Sequence, residues 1–335
     1  MQPSSPDEAR SSVPARPQLK PWFRVAQTQD ALVLEYGQAA LVFEGRAATK
    51  LLPSLLPLLD GTRTVQEIVG ELDTPTASAV ERTLGLLAER NLLLDGPRER
   101  STDSPGVLET AELLASFDAA TTVSSVRDAL ADARVDVIGS GSAAPELVRL
   151  LRESGVSRTR RAGWTGGPEV APDIVLAAPA RNEVPAVEAW NRHALAHGQV
   201  WFQVLPFDGR FVAIGPLFVP GETCCFECYR LRRRSTSGYA EEFGVVEAAP
   251  VAAAAGPALV AAAAAIAASL VLRWLVHRDQ RLPGVLRAYE RGGAVVTEHR
   301  VYRVPRCPAC AAGRDVAPPL PWYKETRAPV AAAAL

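Results

Sequence analysis

The sequence predicts an α/β protein with two folded parts: a small winged-helix-like unit, then a doubly wound, mostly parallel, Rossmann-like domain with a four-cysteine metal site. Three observations lead to this prediction. Short strand patterns are followed by three helical patterns in residues 20–96. Apolar strands then alternate with helices from about residue 134, and four of the five cysteines form two C-x-x-C pairs.

Composition narrows the class of protein. The 335 residues are 48% hydrophobic with a formal net charge of −1, so nothing in the overall charge attracts nucleic acid or a membrane surface. Residues 1–19 are polar and lack the apolar core of a signal peptide, which predicts a disordered lead-in of a cytoplasmic protein. Residues 251–272 are uncharged and long enough to span a bilayer, but they are mostly Ala, so we expect a buried helix and no membrane span.

The first unit is predicted over residues 20–96, as three strands followed by three helices. Alternating apolar side chains over residues 32–36 indicate a strand that enters a hairpin. Thr64 and Glu67 have the spacing of a capping box, and Thr74 is the expected N-cap of the third helix.

The second domain is predicted over residues 107–315, after a polar linker at 97–106. A buried strand, a glycine turn and a helix come first, and two more apolar strands follow with a helix between them. This alternation is typical of a parallel, doubly wound sheet. A hairpin that turns at 291–293 precedes the last cysteines, and residues 316–335 form a tail.

The cysteine spacing predicts a metal site. Cys225 and Cys228 are separated by two residues, as are Cys307 and Cys310, and two such pairs provide the four sulfur ligands of a structural Zn²⁺ site. A shell of four thiolates has no open position for a catalytic water, so the metal is expected to stabilise the fold. Cys224 leaves an alternative open, since it could replace Cys225.

The glycine turn has the form of a nucleotide-binding motif. Gly139, Gly141 and Ala144 match G-x-G-x-x-A between a strand and a helix. The other groups of such a site are missing, because no acidic residue ends the next strand and no Asp ends the one after it. We interpret the turn as vestigial, with small residues that let helix and strand approach, and expect no ATP.

Two further clusters have plain interpretations. His193 and His197 are four residues apart on a helix, but no third metal ligand accompanies them, which indicates a solvated helix face. The basic residues at 230–234 are interpreted as a solvated surface beside the cysteines. Binding of an acidic peptide or a phosphate is the alternative for this run.

Two stretches around the cysteines, GPLFVPGETCCFECYRLRRR and YRVPRCPAC, closely resemble the ocin-ThiF-like proteins, a branch of the E1-like, ThiF-related family. The stretch LLPLLDGTRTVQEIVGEL resembles the PqqD-like precursor recognition element of the same pathways. The resemblance implies a protein that binds the leader of a ribosomal precursor peptide. The biosynthetic pathway would make thiazole/oxazole-modified microcins or thiopeptides.

The same resemblance implies a division of labour. The core peptide would be presented to a YcaO-type enzyme, which carries out the ATP-dependent cyclodehydration of Cys, Ser or Thr. The E1-like domain would bind zinc, and a homodimer is one option because such domains commonly dimerise. The sequence departs from the family's nucleotide site at its acidic strand end, its Arg segment and its later Asp, so no catalytic residue is assigned.

In this family the leader peptide lies between the third strand and the third helix of the recognition element. Arg82 and Arg90 are expected to meet acidic leader residues, while several of the apolar candidates must face the core. The residues that match these positions are Leu41, Val42, Phe43, Val80, Arg82, Leu84, Leu87 and Arg90.

Two other functions compete with leader binding. An active E1-like adenylating enzyme would catalyse ATP–pyrophosphate exchange by itself, and the missing acidic residues argue against it. A winged-helix DNA-binding regulator would need a basic recognition helix, whereas residues 76–90 carry Glu81 and Glu89 beside Arg82 and Arg90.

Overall fold

The structure is a computed structural model that describes residues 13–72, 77–97, 103–164, 171–249, 255–292 and 294–311. It contains an N-terminal unit with two small sheets and a larger domain built on a seven-stranded sheet. Most of the predicted lead-in, the Thr74 cap, the middle of the linker and the C-terminal tail lie outside the described residues.

The N-terminal unit contains three antiparallel strands in the order β2-β3-β4, and a separate pairing of its first and last strands. Thr64 and Glu67 form the predicted capping box, in which the Thr64 N–H donates to Glu67 Oε2 at 2.7 Å. The strands are β1 (Pro17–Leu19), β2 (Arg24–Gln27), β3 (Ala31–Tyr36), β4 (Ala39–Glu44) and β5 (Leu93–Asp95). The helices are α1 (Arg46–Lys50), α2 (Leu52–Leu55), α3 (Val65–Glu71) and α4 (Ala77–Glu89).

The core of this unit lies between the inner face of the three-stranded sheet and the helices. Leu32 and Leu34 of β3 are almost completely buried there. Val80, Leu84 and Leu87 recur at helical spacing along α4 and pack into the same core. The apolar stripe of α4 is therefore a packing face.

The larger domain has the strand order β12-β11-β10-β9-β8-β6-β7. Strands β7, β6, β8 and β9 are parallel neighbours, and β10, β11 and β12 extend the sheet in antiparallel fashion. The strands are β6 (Arg134–Ile138), β7 (Arg158–Ala162), β8 (Ile174–Ala177), β9 (Trp201–Val204), β10 (Phe211–Phe218), β11 (Val285–Glu290) and β12 (Val295–Arg300). The predicted doubly wound α/β domain is confirmed, and β11 and β12 form the expected hairpin.

Helices cover both faces of this sheet. One face packs against α6, α7 and α11 in a large apolar core, and the other packs against α8, α9 and the cysteines. The helices are α5 (Pro105–Ala115), α6 (Val123–Asp132), α7 (Ala143–Glu153), α8 (Val184–His197), α9 (Phe226–Thr236), α10 (Phe243–Ala248) and α11 (Pro257–His277).

The Ala-rich segment forms α11. Within the described residues this is the one helix long and apolar enough to cross a membrane by length and composition, and 56% of its apolar window is buried inside the protein. Ala263, Ala264, Ala267 and Val271 all face the core. This packing favours the predicted core helix over a membrane span.

Candidate functional site

The cysteine cluster joins two segments that are far apart in the sequence. Cys225 immediately precedes α9, and Cys228 lies in the first turn of that helix. Cys307 and Cys310 lie in a turn after β12, which is closed by a hydrogen bond from the Ala311 N–H to the Cys307 carbonyl at 3.0 Å. The sulfur atoms of the four cysteines all lie within 4.8 Å of one another.

The sulfur separations are suitable for a metal ion. The Sγ atoms of Cys225 and Cys228 are 3.8 Å apart, those of Cys225 and Cys307 3.6 Å, and those of Cys228 and Cys310 3.5 Å. A tetrahedral zinc with bonds of about 2.3 Å would place its sulfur ligands about 3.8 Å apart. Three of the four cysteines are buried and Cys310 is partly buried. The cluster could therefore hold a metal ion shielded from solvent.

Electrostatics in the cluster favour a cation. A hydrogen bond from the Cys225 thiol lowers the pKa of Cys228 to about 4, and the same bond raises the pKa of Cys225. Burial raises the pKa of Cys310 to about 12. The Val304 N–H also donates to Cys228 Sγ at 3.3 Å, as expected beside a metal-bound thiolate. Four clustered thiols cannot all ionise unless a cation balances their charge.

Cys224 lies outside this cluster. Burial raises the pKa of its thiol to about 12, so the side chain is a small neutral group in the core. The structure thus places Cys225, and not Cys224, beside Cys228.

Two arginines connect the segments that carry the cysteines. Arg232 of α9 donates from Nε to the Tyr302 carbonyl at 2.7 Å and from Nη2 to the Arg303 carbonyl at 3.2 Å. Arg303 donates from Nη2 to the Gly221 carbonyl at 2.7 Å. These contacts correct the prediction that Arg232 lies on a solvated surface. No local pattern reveals a contact with residues about seventy positions away.

The glycine turn is packed tightly against the end of β8. A Cβ atom on Gly139 would come within 2.4 Å of the Ala178 oxygen, and one on Gly141 within 2.4 Å of the Pro179 oxygen. The Gly141 N–H donates to the Ala178 carbonyl at 2.9 Å. Close approach of two backbones therefore accounts for both glycines. Ala144 is completely buried beneath the turn in α7.

A carboxylate of the protein itself binds this turn. Glu183 accepts hydrogen bonds from the Ser140 N–H at 2.9 Å, the Ala180 N–H at 2.7 Å and Trp164 Nε1 at 3.1 Å. Burial opposes ionisation of Glu183, but these hydrogen bonds outweigh it and lower the pKa of the side chain. No local sequence pattern indicates this role of Glu183, since it lies 43 residues from the turn.

The histidine pair forms no metal site. His193 and His197 are exposed, and their rings stack with centroids 4.1 Å apart. In the part of the chain that the structure describes, the cysteines are the only group of three or more His, Cys, Asp or Glu side chains spaced to hold an ion.

The leader-binding candidates divide into two sets. Val80, Leu84 and Leu87 are fully buried in the core, and their burial corrects the prediction that these side chains contact a peptide. Arg82 is exposed on α4, and Arg90 is exposed directly after the end of that helix. On β4, Val42 is 57% exposed, while Leu41 and Phe43 are partly buried against the core.

The backbone of β4 is open on one side. It is an outer strand of its sheet, and its outer edge pairs with no other strand of the described residues. An outer strand of this kind presents unpaired N–H and C=O groups.

Solved structures resemble this chain in fold, whereas no family model and no curated protein matches the sequence. The heterocyclase TruD has a TM-score of 0.66 and 24% identity, covering 89% of this chain and 43% of TruD. A heterocyclase in complex with substrate and cofactor has a TM-score of 0.65 and 22% identity, covering 88% of this chain and 39% of that one. The microcin C7 biosynthetic enzyme MccB in complex with N-formylated MccA has a TM-score of 0.62 and 14% identity, covering 88% of this chain and 99% of MccB.

These likenesses define the class of fold. The chain has the mixed α/β architecture expected of an E1-like domain, shared with MccB and with a part of the two heterocyclases. The match also reaches into the N-terminal unit, because the unmatched share of the chain is smaller than residues 13–97. The chain spans less than half the length of the heterocyclases that it matches.

Proposed function

We propose that this chain is a peptide-binding partner subunit in the biosynthesis of a ribosomally made and modified peptide. It binds the leader of the precursor and delivers the core to a YcaO-type cyclodehydratase for azoline formation, in a thiazole/oxazole or thiopeptide pathway. The observation that carries the proposal is the fold likeness to the heterocyclase TruD, together with the open edge of β4, which can accept an extended peptide.

The leader would bind along β4. Its open edge can accept an extended peptide as an added strand, in which main-chain hydrogen bonds provide affinity and side-chain contacts provide specificity. Leu41, Val42 and Phe43 belong to this strand. Arg82 lies on α4, and Arg90 directly follows that helix. Neither guanidinium forms an ion pair within the described residues, so both remain free to meet acidic leader side chains.

Binding of this kind supports catalysis without a catalytic residue. Tethering the leader raises the concentration of the core peptide at the partner's active site, to about the millimolar range for a short flexible connection. We expect this to take place in the cytoplasm, where thiols stay reduced and can bind metal.

The resident metal would be Zn²⁺, held by Cys225, Cys228, Cys307 and Cys310. Four thiolates suit zinc, and their number leaves no position for a substrate or a water molecule. The ion would link the start of α9 to the turn after β12 and stabilise the domain.

ATP-dependent chemistry would belong to the partner. The carboxylate of Glu183 accepts hydrogen bonds from backbone N–H groups at this turn. In a working nucleotide site a phosphate would accept such hydrogen bonds. A negative charge at this point repels a phosphate, which supports the interpretation of a vestigial nucleotide site.

An adenylating enzyme is the second candidate function. It is favoured by the fold match to MccB, which covers 99% of that protein and includes a structure with ATP. ATP–pyrophosphate exchange by the purified chain, with and without precursor peptide, separates the two candidates. Exchange would overturn the assignment as a partner subunit without activity of its own.

The decisive experiment titrates a labelled synthetic leader, encoded beside this gene, into the purified protein and follows fluorescence anisotropy. We expect micromolar or tighter binding. Leu41→Pro and Val42→Pro are tested in turn, because one of two consecutive residues directs its N–H outward. One of them should weaken binding at least tenfold.

Matched controls use the other outer strand of the same sheet. Val25→Pro and Ala26→Pro place the same disruption in β2 and should leave leader affinity unchanged. Equal loss in both strands would mean that proline damages the unit as a whole. Light scattering of the same samples establishes whether the protein is a homodimer.

A further inference from the structure

A cavity of about 560 Å³ lies in the larger domain, between α9 and the antiparallel part of the sheet. Its floor includes Leu286 and Ala288 of β11, which are paired with His299 and Thr297 of β12. These four side chains share one face of the sheet, because strand residues alternate between faces. Arg232 belongs to the wall formed by α9.

The cavity carries an excess of positive charge. Four arginines line it, and its one acidic residue, Glu290, is already paired with Arg210 at 3.1 Å. The Arg232 guanidinium donates to two neutral carbonyl groups and lies over the Tyr302 ring, and the Arg300 side chain has no hydrogen bond or ion pair within the described residues. Two guanidinium charges therefore remain uncompensated at the rim of the cavity.

The outer edge of the strand beside the cavity pairs with no other strand in the part of the chain that the structure describes. β12 is the last strand of the seven-stranded sheet, and all six of its residues are exposed. Its Val295 and Val296 side chains are 48% and 40% exposed. An exposed outer strand with apolar side chains is a template for strand addition unless something covers it.

We propose that the free edge of β12 binds an acidic, extended peptide segment as an additional strand. Main-chain hydrogen bonds to β12 would set the register, and carboxylates on the peptide would pair with Arg232 and Arg300. This site is separate from β4, and peptide binding at β12 does not require leader binding at β4. At this site the basic run of α9 would recognise the acidic side chains of the peptide.

A second copy of this chain is a poorer occupant of the same edge. The one acidic side chain that a second β12 would supply is Glu298, which is already paired with Arg287 at 2.7 Å. Two copies would also bring their Arg300 side chains to the same interface. Like charges at a shared edge disfavour pairing.

The test uses the full-length protein and a fluorescein-labelled heptapeptide, Val-Glu-Glu-Val-Glu-Glu-Val, which presents carboxylates on both faces of an extended strand. The peptide with Gln in place of Glu tests the charge, and a peptide N-methylated at every second residue tests the backbone pairing. We expect the Glu peptide alone to bind, with an affinity that falls as salt rises. Arg300→Gln should weaken binding roughly three- to tenfold.

Controls separate this site from the rest of the protein. Arg192→Gln removes an exposed arginine from α8, outside the cavity, and should not change the affinity. Leu41→Pro and Val42→Pro should bind the acidic peptide as the wild type does, so failure of leader binding leaves this test intact.

Three results would overturn the proposal. The Gln or N-methylated peptide could bind as tightly as the Glu peptide, or Arg300→Gln could leave the affinity unchanged. Light scattering could show a dimer that Arg300→Glu dissociates, which would assign the edge to a second copy of the chain.

Discussion

Removal of one cysteine ligand should abolish metal binding and lower the stability of the large domain. Cys310→Ser changes the most accessible of the four ligands. It replaces a thiolate with a hydroxyl group that does not ionise near neutral pH, so the four-sulfur shell is lost. We expect one zinc ion per wild-type chain by elemental analysis and none in the variant.

The stability change follows from the length of chain that the cluster closes. Cys225 and Cys307 are 82 residues apart, as are Cys228 and Cys310. A cross-link over a loop of that length lowers the conformational entropy of the unfolded chain, which raises the free energy of unfolding by about 4 to 5 kcal/mol at 25 °C. A zinc link is expected to approach this value, less any affinity of unfolded thiols for the ion. The loss would be a large part of the typical 5 to 15 kcal/mol of a folded protein.

The assay is urea unfolding followed by far-ultraviolet circular dichroism, with and without a chelator. Wild-type protein in chelator and Cys310→Ser in zinc should unfold at the same, lower urea concentration. Cys224→Ser is the matched control, because it alters a buried cysteine outside the cluster and should keep its zinc. Full zinc content and an unchanged midpoint in Cys310→Ser would refute the cluster as a stabilising metal site.

Other substitutions test the interior. The folded pKa of Glu183 lies below 4.5, so the stability that this carboxylate contributes is present above pH 4.5 and is lost as pH falls through the folded pKa. Glu183→Gln should lower the free energy of unfolding by about 1 to 2 kcal/mol at pH 7. The variant's free energy of unfolding should also decrease less than that of the wild type as pH falls. Burial raises the pKa of Glu112, which accepts a 2.5 Å hydrogen bond from Gln18, so its contribution is present below pH 4.5 and lost as pH rises. Glu112→Gln should match the wild type at pH 4 and exceed it by about 1 kcal/mol at pH 7.5 in urea unfolding. Leu84→Ala should cost about 2 to 5 kcal/mol, against less than about 0.5 for the exposed Leu86→Ala, as measured by thermal and urea unfolding.

The features that could be predicted from the sequence are those encoded by short spacings. The C-x-x-C pairs, the Thr64–Glu67 capping box and the strand–helix alternation each depend on residues within one or two turns of chain. Their geometry follows from local backbone structure, so the α/β architecture and the candidate metal ligands could be predicted from the sequence, apart from the choice between Cys224 and Cys225.

The features that could not be predicted depend on contacts over long separations. The α4 stripe has the same helical spacing whether it faces a core or a ligand, and only the packed sheet shows that Leu84 is interior. Glu183 and Arg232 bind groups 43 and 70 residues away, where no local pattern gives a signal. The long separations are set by sheet topology, which the sequence pattern constrains only loosely.

Helix α9 connects the cysteine cluster with the cavity beside β12, because it carries both Cys228 and the basic run. Its first turn provides Cys228, and two turns further on Arg232 reaches the backbone of Tyr302 and Arg303. The same backbone leads into the turn with Cys307, so a metal that fixes this turn also fixes the rim of the cavity beside β12. A metal bound by the cluster would therefore hold together the two sides of the proposed binding surface at β12. The β4 edge lies in the N-terminal unit and takes part in none of these contacts.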